Sequence, residues 1–262
     1  MVFPSPASMT KRKKLHENCW GTMKYLDLSF LTPAQNLACD EALLEWCEER
    51  GDGEVLRVWE SGQHFVVLGY ANKAGAEVKL QVCREMNIPV LRRCSGGGTV
   101  LQGPGCLSYS LVLRIDESKP VASITGANAY VLRVNQRALA AILNKMVTIE
   151  GHTDLAINGL KFSGNAQRRK RRFLLFHGSF LLNFDLTLME KLLPFPPKHP
   201  PYRCRRSHLE FLTNLSLSAV LVKEALRNTW LALENLDELP SAAIERLARE
   251  KYSSDDWTFR FA

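Results

Sequence analysis

The sequence predicts an α+β fold, with helices packed on a mixed, largely antiparallel sheet. Three observations carry this expectation. Strand-like and helix-like segments follow one another without the regular alternation that builds a doubly wound parallel sheet. The stretch "TDLAINGLKFSG" sets Asn158-Gly159 between two apolar alternations, the strongest short hairpin signal a sequence offers. The glycines after "IPVLRR" lead into a further strand rather than into a helix.

The elements follow in chain order. The opening "MVFPSPASMTKRKK" places its charges behind a short apolar patch without an h-region, so it does not read as a secretory signal. Residues 1–22 are expected to be a basic leader, open to disorder, ahead of a single domain at 23–262. In "LTPAQNLACDEALLEWCEER", Thr32 is an N-cap with Pro33 behind it, and Leu37, Ala38, Leu44 and Cys47 follow at helical spacing. "EVLRVWE" and "HFVVLGY" read as strands separated by a Ser61-Gly62 turn. A helix over "AEVKLQVCREMN" comes next, then "IPVLRR", "TVLQ" and "CLSYSLVLRI" as strands, with a turn at "GPG". A long helix is expected from about Gly126 to Met146. The Asn158-Gly159 hairpin then puts Lys161 near the start of its returning strand. "FLLFHGSFLLNF" is a further strand, reached through the basic turn "QRRKRR". "LPFPPKHPPYR" reads as a loop, and two helices are expected near Ser216–Glu234 and Ser241–Lys251.

Composition narrows the function. At 262 residues and 46% hydrophobic content the chain is globular, with no apolar run long enough to span a membrane. Seven cysteines without regular spacing or a CxxC pair argue against a disulfide framework and a zinc site, and fit a reducing compartment such as the cytoplasm. A net charge of +7 implies an acidic partner: nucleic acid, a nucleotide or an acidic protein.

The stretch "RRCSGGGTV", Arg92 to Val100, concentrates the chemistry. It is not a P-loop, because no Lys-Ser/Thr and no helix follow, and the Rossmann fingerprint fails for the same reason. Glycines between two strands can still offer backbone N–H groups to an anion, and arginine's planar fork suits carboxylate or phosphate. The alternatives are an activated Cys94 thiol or a tight turn with surface arginines.

Taken together, "RRCSGGGTV", "GPGCLSYSLVL", "TDLAINGLKFSGNAQ" and "HGSFLLNFDL" resemble, in order and spacing, the lipoate–protein ligase and octanoyltransferase family, related to the biotin ligases. The helix "NLACDEALL" and the strands "LRVWE" and "VVLGY" resemble that family's N-terminal part, so the similarity runs from about Tyr25 to Leu215. It implies a class II synthetase/biotin ligase-like catalytic domain that attaches lipoyl or octanoyl groups to a lysine of a carrier domain. In the motif "KFSGNAQ" the resemblance makes Lys161 the catalytic lysine, a cation placed where charge builds on phosphate or acyl oxygens. It puts Arg93, Ser95, Gly96, Gly97, Gly98 and Thr99 around the acyl and phosphate site, Ser163, Gly164 and Ala166 on a facing strand, and His177 and Gly178 at the pocket's close. It assigns Asp154 to Mg²⁺ or nucleotide.

The main expectation is an ATP-dependent lipoate–protein ligase, with ATP and Mg²⁺, that makes an acyl-AMP from lipoate or octanoate. The alternative is an ATP-independent octanoyl or lipoyl transferase working through a cysteine thioester. One transferase class carries its cysteine just before the lysine strand, where "IEGHTDLAING" has none. Another uses a downstream cysteine and shares the Gly103-Pro104-Gly105 turn; here that would be Cys204 in "YRCRRSH", without the Pro-Cys-Gly setting of that class. Cys94 and Cys106 are expected to be inert. The carrier would be an E2 lipoyl domain of a 2-oxoacid dehydrogenase or a glycine-cleavage H-like protein. Long ligases also carry an accessory domain after a segment like "EKYSSDDWTFRFA", which leaves open a separate accessory chain. A non-catalytic binder of carrier protein or nucleic acid is the remaining class, without a nucleic-acid motif to support it. "SGGG" departs from the biotin ligases' arginine-and-glycine loop.

Overall fold

The computed structural model describes residues 22–261. All of the expected basic leader except Thr22 lies outside them. Eleven strands are distributed over two sheets: β1 (Met23–Asp27), β2 (Glu54–Glu60), β3 (Phe65–Leu68), β4 (Val90–Arg92), β5 (Val100–Gln102), β6 (Cys106–Arg114), β7 (Thr148–Glu150), β8 (Asp154–Ile157), β9 (Leu160–Arg169), β10 (Phe173–Leu181) and β11 (Glu234–Asn235). The large sheet runs β11-β1-β2-β6-β10-β9-β8-β7, and the small one β4-β3-β5. The pairs β1–β11, β1–β2 and β3–β4 are parallel and the others antiparallel. This is the mixed, mostly antiparallel α+β architecture that the sequence predicts.

Helix α1 (Pro33–Arg50) starts as its sequence dictates. Thr32 accepts from the Gln35 backbone N–H, and Gln35 reaches back to the Thr32 N–H, closing a capping box with Pro33 in the first turn. Gly51 ends the helix in the left-handed conformation, φ +78°. The predicted helix over residues 76–87 is instead two short ones, α2 (Ala74–Glu77) and α3 (Leu80–Glu85), because Val78 adopts an extended backbone. Val78 is buried there, and the next N–H, that of Lys79, bonds outward to the Leu192 carbonyl. The long helix α4 spans Ile124–Leu143, capped by Ser123, and ends earlier than expected where Asn144 turns left-handed. Short α5 (Thr187–Leu192) and α6 (His208–Phe211) flank the proline-rich loop.

The expected helix at 216–234 is shorter, α7 (Ala219–Thr229), and its last residue, Glu234, opens the edge strand β11. The final expected helix is α8 (Ser241–Leu247) continued by a π-turn at Ala248–Tyr252, and α9 (Asp255–Thr258) follows. The strands β1, β7 and β11 are not among those the sequence predicts.

The large sheet buries both faces. Leu56, Val58, Leu111 and Phe176 meet α4 and α7 on one side. Val55, Val112 and Leu175 meet α1 and α8 on the other. This explains why β6 and β10 read as continuous apolar runs rather than alternations. The small sheet packs with α5 through Val66, Leu101, Leu181 and Met189, and the space between the two sheets holds the site. Among the described residues no helix is long and apolar enough to cross a membrane.

Candidate active site

A cavity of about 820 Å³ lies between the sheets. Its apolar part is formed by Leu37, Trp59, Val67, Leu101 and Leu181, and its polar part by Lys161, Asp154, His177 and the glycine loop. A volume of this size and lining is that of a small-molecule site.

The Asn158-Gly159 turn has both residues at positive φ, +51° and +73°, the geometry of a tight hairpin turn. It delivers Lys161 to β9 next to β8, where Asp154 begins the facing strand. Lys161 Nζ lies 2.8 Å from Asp154 Oδ1, with a quarter of the lysine side chain exposed and the carboxylate nearly buried. The other oxygen, Oδ2, accepts from the Tyr202 hydroxyl at 2.8 Å. Burial, and then the neighbouring carboxylate, push the Tyr202 phenol well up, which keeps it a donor. Both Asp154 oxygens are therefore engaged, and among the described residues no group of three or more His, Cys, Asp or Glu side chains comes together to hold a metal. Asp154, which the resemblance assigns to Mg²⁺ or nucleotide, is the ion-pair partner of Lys161.

The glycine loop joins β4 to β5. Gly97, Gly98 and Thr99 line the cavity, whereas Gly96 faces a separate small pocket with Tyr70 and Ile124. Thr99 Oγ1 donates to Glu77 Oε2 at 2.6 Å. The two arginines are not the surface cations that their positions suggest. Arg92 is buried and donates to the carbonyls of Gly69, Tyr70 and Asn72 through Nη1, and to Thr258 through Nε. Arg93 also lines the cavity, but its Nη2 donates to the Gly96 and Gly98 carbonyls at 2.6 and 2.8 Å, and burial draws it down to about 10. The loop is thus folded around Arg93.

Ser95 is fully buried and does not line the cavity. Its Oγ lies 2.5 Å from His177 Nε2, and His177 Nδ1 lies 3.4 Å from Asp40 Oδ2. Asp40 Oδ1 also takes Arg57 Nη1 at 2.5 Å and the Ser110 hydroxyl at 2.8 Å. Burial alone would raise the Asp40 carboxyl. The Arg57 guanidinium, then His177 and Ser110, outweigh it and hold the group below the usual range.

Ser163, Gly164, Ala166 and Gly178 all line the cavity. A Cβ at Gly178 would collide with the Asn165 side chain, which accepts from Tyr109 OH and donates to Thr153 O.

Cys94 and Cys106 are buried, and burial pushes both thiols up to about 12. Among the described cysteines Cys204 alone is exposed. It stands at φ +50° after a 3₁₀ turn at Pro201–Arg203, and Pro201 and Arg203 line the cavity while Cys204 does not. The basic turn is largely tied down: Arg169 binds the Val121 and Ala122 carbonyls, Lys170 binds Glu45, and Arg172 binds the Glu48 backbone.

Asp40, Arg57, Ser110 and Tyr202 belong to the site without having been singled out in the sequence. A signal existed for Asp40: Asn36 and Asp40, at i and i+4, interrupt the apolar side of α1, and both are buried. Nothing local marks Tyr202, whose role depends on a contact across 48 residues.

Fold, cavity and lysine pair together describe a small-molecule site between two sheets. A family model described as the lipoyl protein ligase A/B catalytic domain matches residues 32–227, and the chain belongs to that family. Octanoyltransferase LipM of Geobacillus kaustophilus is 28% identical over 276 residues, covering 90% of this chain and 98% of that protein. Among solved structures, a bi-partite lipoate protein ligase from Thermoplasma acidophilum, reported with its E2 lipoyl domain in an archaeal lipoylation system, superposes with a TM-score of 0.77 at 25% identity, covering 92% of this chain and 97% of that one. A lipoate-protein ligase A bound with ATP superposes with a TM-score of 0.76, also at 25% identity, over 92% and 100% of the two chains. The chain is an enzyme of the lipoate ligase and octanoyltransferase family.

Proposed function

We propose that this chain transfers an octanoyl or lipoyl group from a thioester donor to a lysine of a lipoyl carrier domain, without ATP. The reading is carried by likeness along 90% of the chain to an octanoyltransferase, joined to a lysine–carboxylate pair on the wall of a largely apolar cavity. The acyl chain lies among Leu37, Val67, Leu101 and Leu181, which brings its carbonyl toward Lys161. The ammonium donates to the carbonyl oxygen and stabilises the oxyanion that forms when a nucleophile adds. Asp154 holds Nζ in place. In the covalent route the Cys204 thiolate attacks the donor's acyl carbon, a C–S bond forms, and the donor thiol leaves with a proton. The carrier lysine amine then attacks that thioester, the amide C–N bond forms, and the Cys204 thiol regains its proton. The carrier is of the same kind as the E2 lipoyl domain of the archaeal neighbour.

A second reading, ATP-dependent ligation, draws on two observations: among the described residues no cysteine lines the cavity, and a structural neighbour binds ATP. In that reading the glycine loop and Lys161 face the nucleotide phosphates, and any Mg²⁺ arrives with them, because Asp154 is already engaged.

One experiment separates the two. The purified chain is incubated with an apo lipoyl domain and either an octanoyl thioester carrier alone, or free octanoate or lipoate with ATP and Mg²⁺. Carrier mass is read by mass spectrometry. The proposal expects product with the thioester and no ATP, none with Lys161→Ala, and none with Cys204→Ser. Product only with ATP and free acid, undiminished in Cys204→Ser, replaces it with the ligase reading. No product from either mixture, with the fold intact, removes both for the chain acting alone.

A further inference from the structure

The hydrogen bonds around Ser95 have a single consistent direction. Asp40, held ionised by Arg57, can only accept, so the proton between it and His177 sits on Nδ1. With the imidazole neutral, His177 Nε2 is the acceptor of the 2.5 Å contact and the Ser95 hydroxyl is its donor. Ser95 Oγ in turn accepts from Arg93 Nε at 3.0 Å, and Arg93 Nη2 donates to the Gly96 and Gly98 carbonyls. Arg93 donates both to the glycine loop and to Ser95, and the donors then run through Ser95 and His177 to end on Asp40. Ser110 and Arg57 converge on Asp40 from β6 and β2.

The order Ser–His–Asp resembles that of serine hydrolases, but the accessibility is opposite. Ser95 is wholly buried and does not line the cavity, so its oxygen cannot meet an acyl carbon. What the series does reach is the loop. Its carbonyls at Gly96 and Gly98 are gathered inward, with Gly97, Gly98 and Thr99 left on the cavity wall.

We infer that Asp40 is a positioning residue: through the tautomer of His177 and the hydroxyl of Ser95 it fixes the glycine loop in its substrate-binding shape. This deepens the acyl-transfer reading and rests on it only for the kinetic part of the test. A loop held by a buried polar series costs no reorganisation when substrate arrives, which is the condition for electrostatic stabilisation at a reacting carbonyl. The glycines supply the turn, and the buried series supplies its rigidity.

Two measurements need no substrate, so they stand or fall apart from the acyl-transfer reading. In ¹⁵N-histidine NMR spectra of the whole chain, with the His177 signals assigned by their loss in His177→Gln, Nδ1 is expected to carry the proton and Nε2 to be unprotonated. In hydrogen exchange, the amides of residues 96–99 are expected to exchange at least roughly tenfold faster in Ser95→Ala, while the sheet amides stay protected. The kinetic comparison uses two amides. Gln at 177 puts an acceptor where Nε2 was and can keep Ser95, whereas Asn puts its amide where Nδ1 was and loses Ser95. Positioning through Ser95 predicts that His177→Gln retains more activity than His177→Asn, and that Ser95→Ala lowers kcat/KM by roughly 10- to 100-fold.

A proton on Nε2 overturns the inference, as does unchanged loop exchange in Ser95→Ala. Equal inactivity of the Gln and Asn variants with loop exchange unchanged also overturns it, and assigns the imidazole itself to the reaction. Asp40→Asn leaves the buried Arg57 charge unpaired and can fail to fold for that reason alone. Ser95→Ala breaks the same series without touching that ion pair, so it decides the matter.

Discussion

Glu54, the first residue of β2, is 5% exposed, and its Oε1 accepts from the Arg114 backbone N–H at 3.0 Å. Burial raises its carboxyl to about 7, against the lowering pull of that hydrogen bond and of Lys119 and Arg114. The folded chain therefore holds this proton more tightly than the unfolded chain. The stability it contributes is whole below about pH 4.5 and is lost as pH rises through about 7, at a cost of about 3 kcal/mol by pH 8. Glu54→Gln keeps the acceptor oxygen and removes the titration. The variant is expected to melt several degrees above the parent at pH 8 and at the same temperature near pH 4.5, a difference that thermal denaturation at the two pH values reads directly. An equal gain at both would show that ionisation is not the cause. Residues whose position is set by a local motif were legible from the sequence alone. Lys161 follows the turn that its own neighbours dictate. Arg92 and Arg93 read in the sequence as fixed charge for an anion, with a surface pair as the alternative, and only the tertiary structure surrounds them with carbonyls.

At the scale of elements, the connection between β3 and α2 presses directly on the glycine loop. A Cβ at Gly69 would meet the Gly97 carbonyl oxygen, and Asn72 Oδ1 at 3.1 Å, although nothing in the Gly69 backbone forbids a side chain. Gly69→Ala is thus expected to fold and to displace the loop, lowering kcat/KM by roughly 100-fold. Gly98→Ala is the contrast: a Cβ there meets nothing within 4 Å, so the loop keeps its shape and any loss of activity reports a bound acyl group at that spot. Parallel kinetics and hydrogen exchange on the two variants check both expectations. Equal loop exchange in Gly69→Ala and the parent would refute the steric argument. The elements that the sequence predicts well are those whose ends are chemically marked, such as the capping box of α1 and the Asn158-Gly159 turn. Those it predicts poorly are set from outside. The helix over 76–87 breaks at Val78 where the chain is drawn toward Leu192, and the end of the helix at 216–234 is taken over by pairing of β11 with β1.

Across the whole molecule, the glycine loop and the C-terminal segment are parts of one structure although about 165 residues separate them. Arg92 is the hub, joining the Thr258 carbonyl on one side to Gly69, Tyr70 and Asn72 on the other. Trp257 completes the tie: its indole N–H donates to the Arg92 carbonyl at 2.8 Å, its ring packs on Tyr70 and Tyr252, and Lys251 stands 4.1 Å from its centroid. Lys251 and Tyr252 in turn bind Glu41 of α1, one residue from Asp40. The C-terminal segment therefore braces both ends of the polar series that shapes the loop, which no local pattern in "EKYSSDDWTFRFA" could disclose. Trp257→Ala removes the indole hydrogen bond and a partly buried ring. By comparison with aromatic deletions in full cores it is expected to cost about 2 kcal/mol, or about 5 °C in melting temperature for a chain of this length. The same variant is expected to speed exchange of the amides at residues 93–99, more than 150 residues from the substitution, while β9 and Lys161 keep their protection. Faster exchange confined to residues 248–261 would mean that the segment is only a cover, and that the loop is held by Arg93 and Ser95 alone.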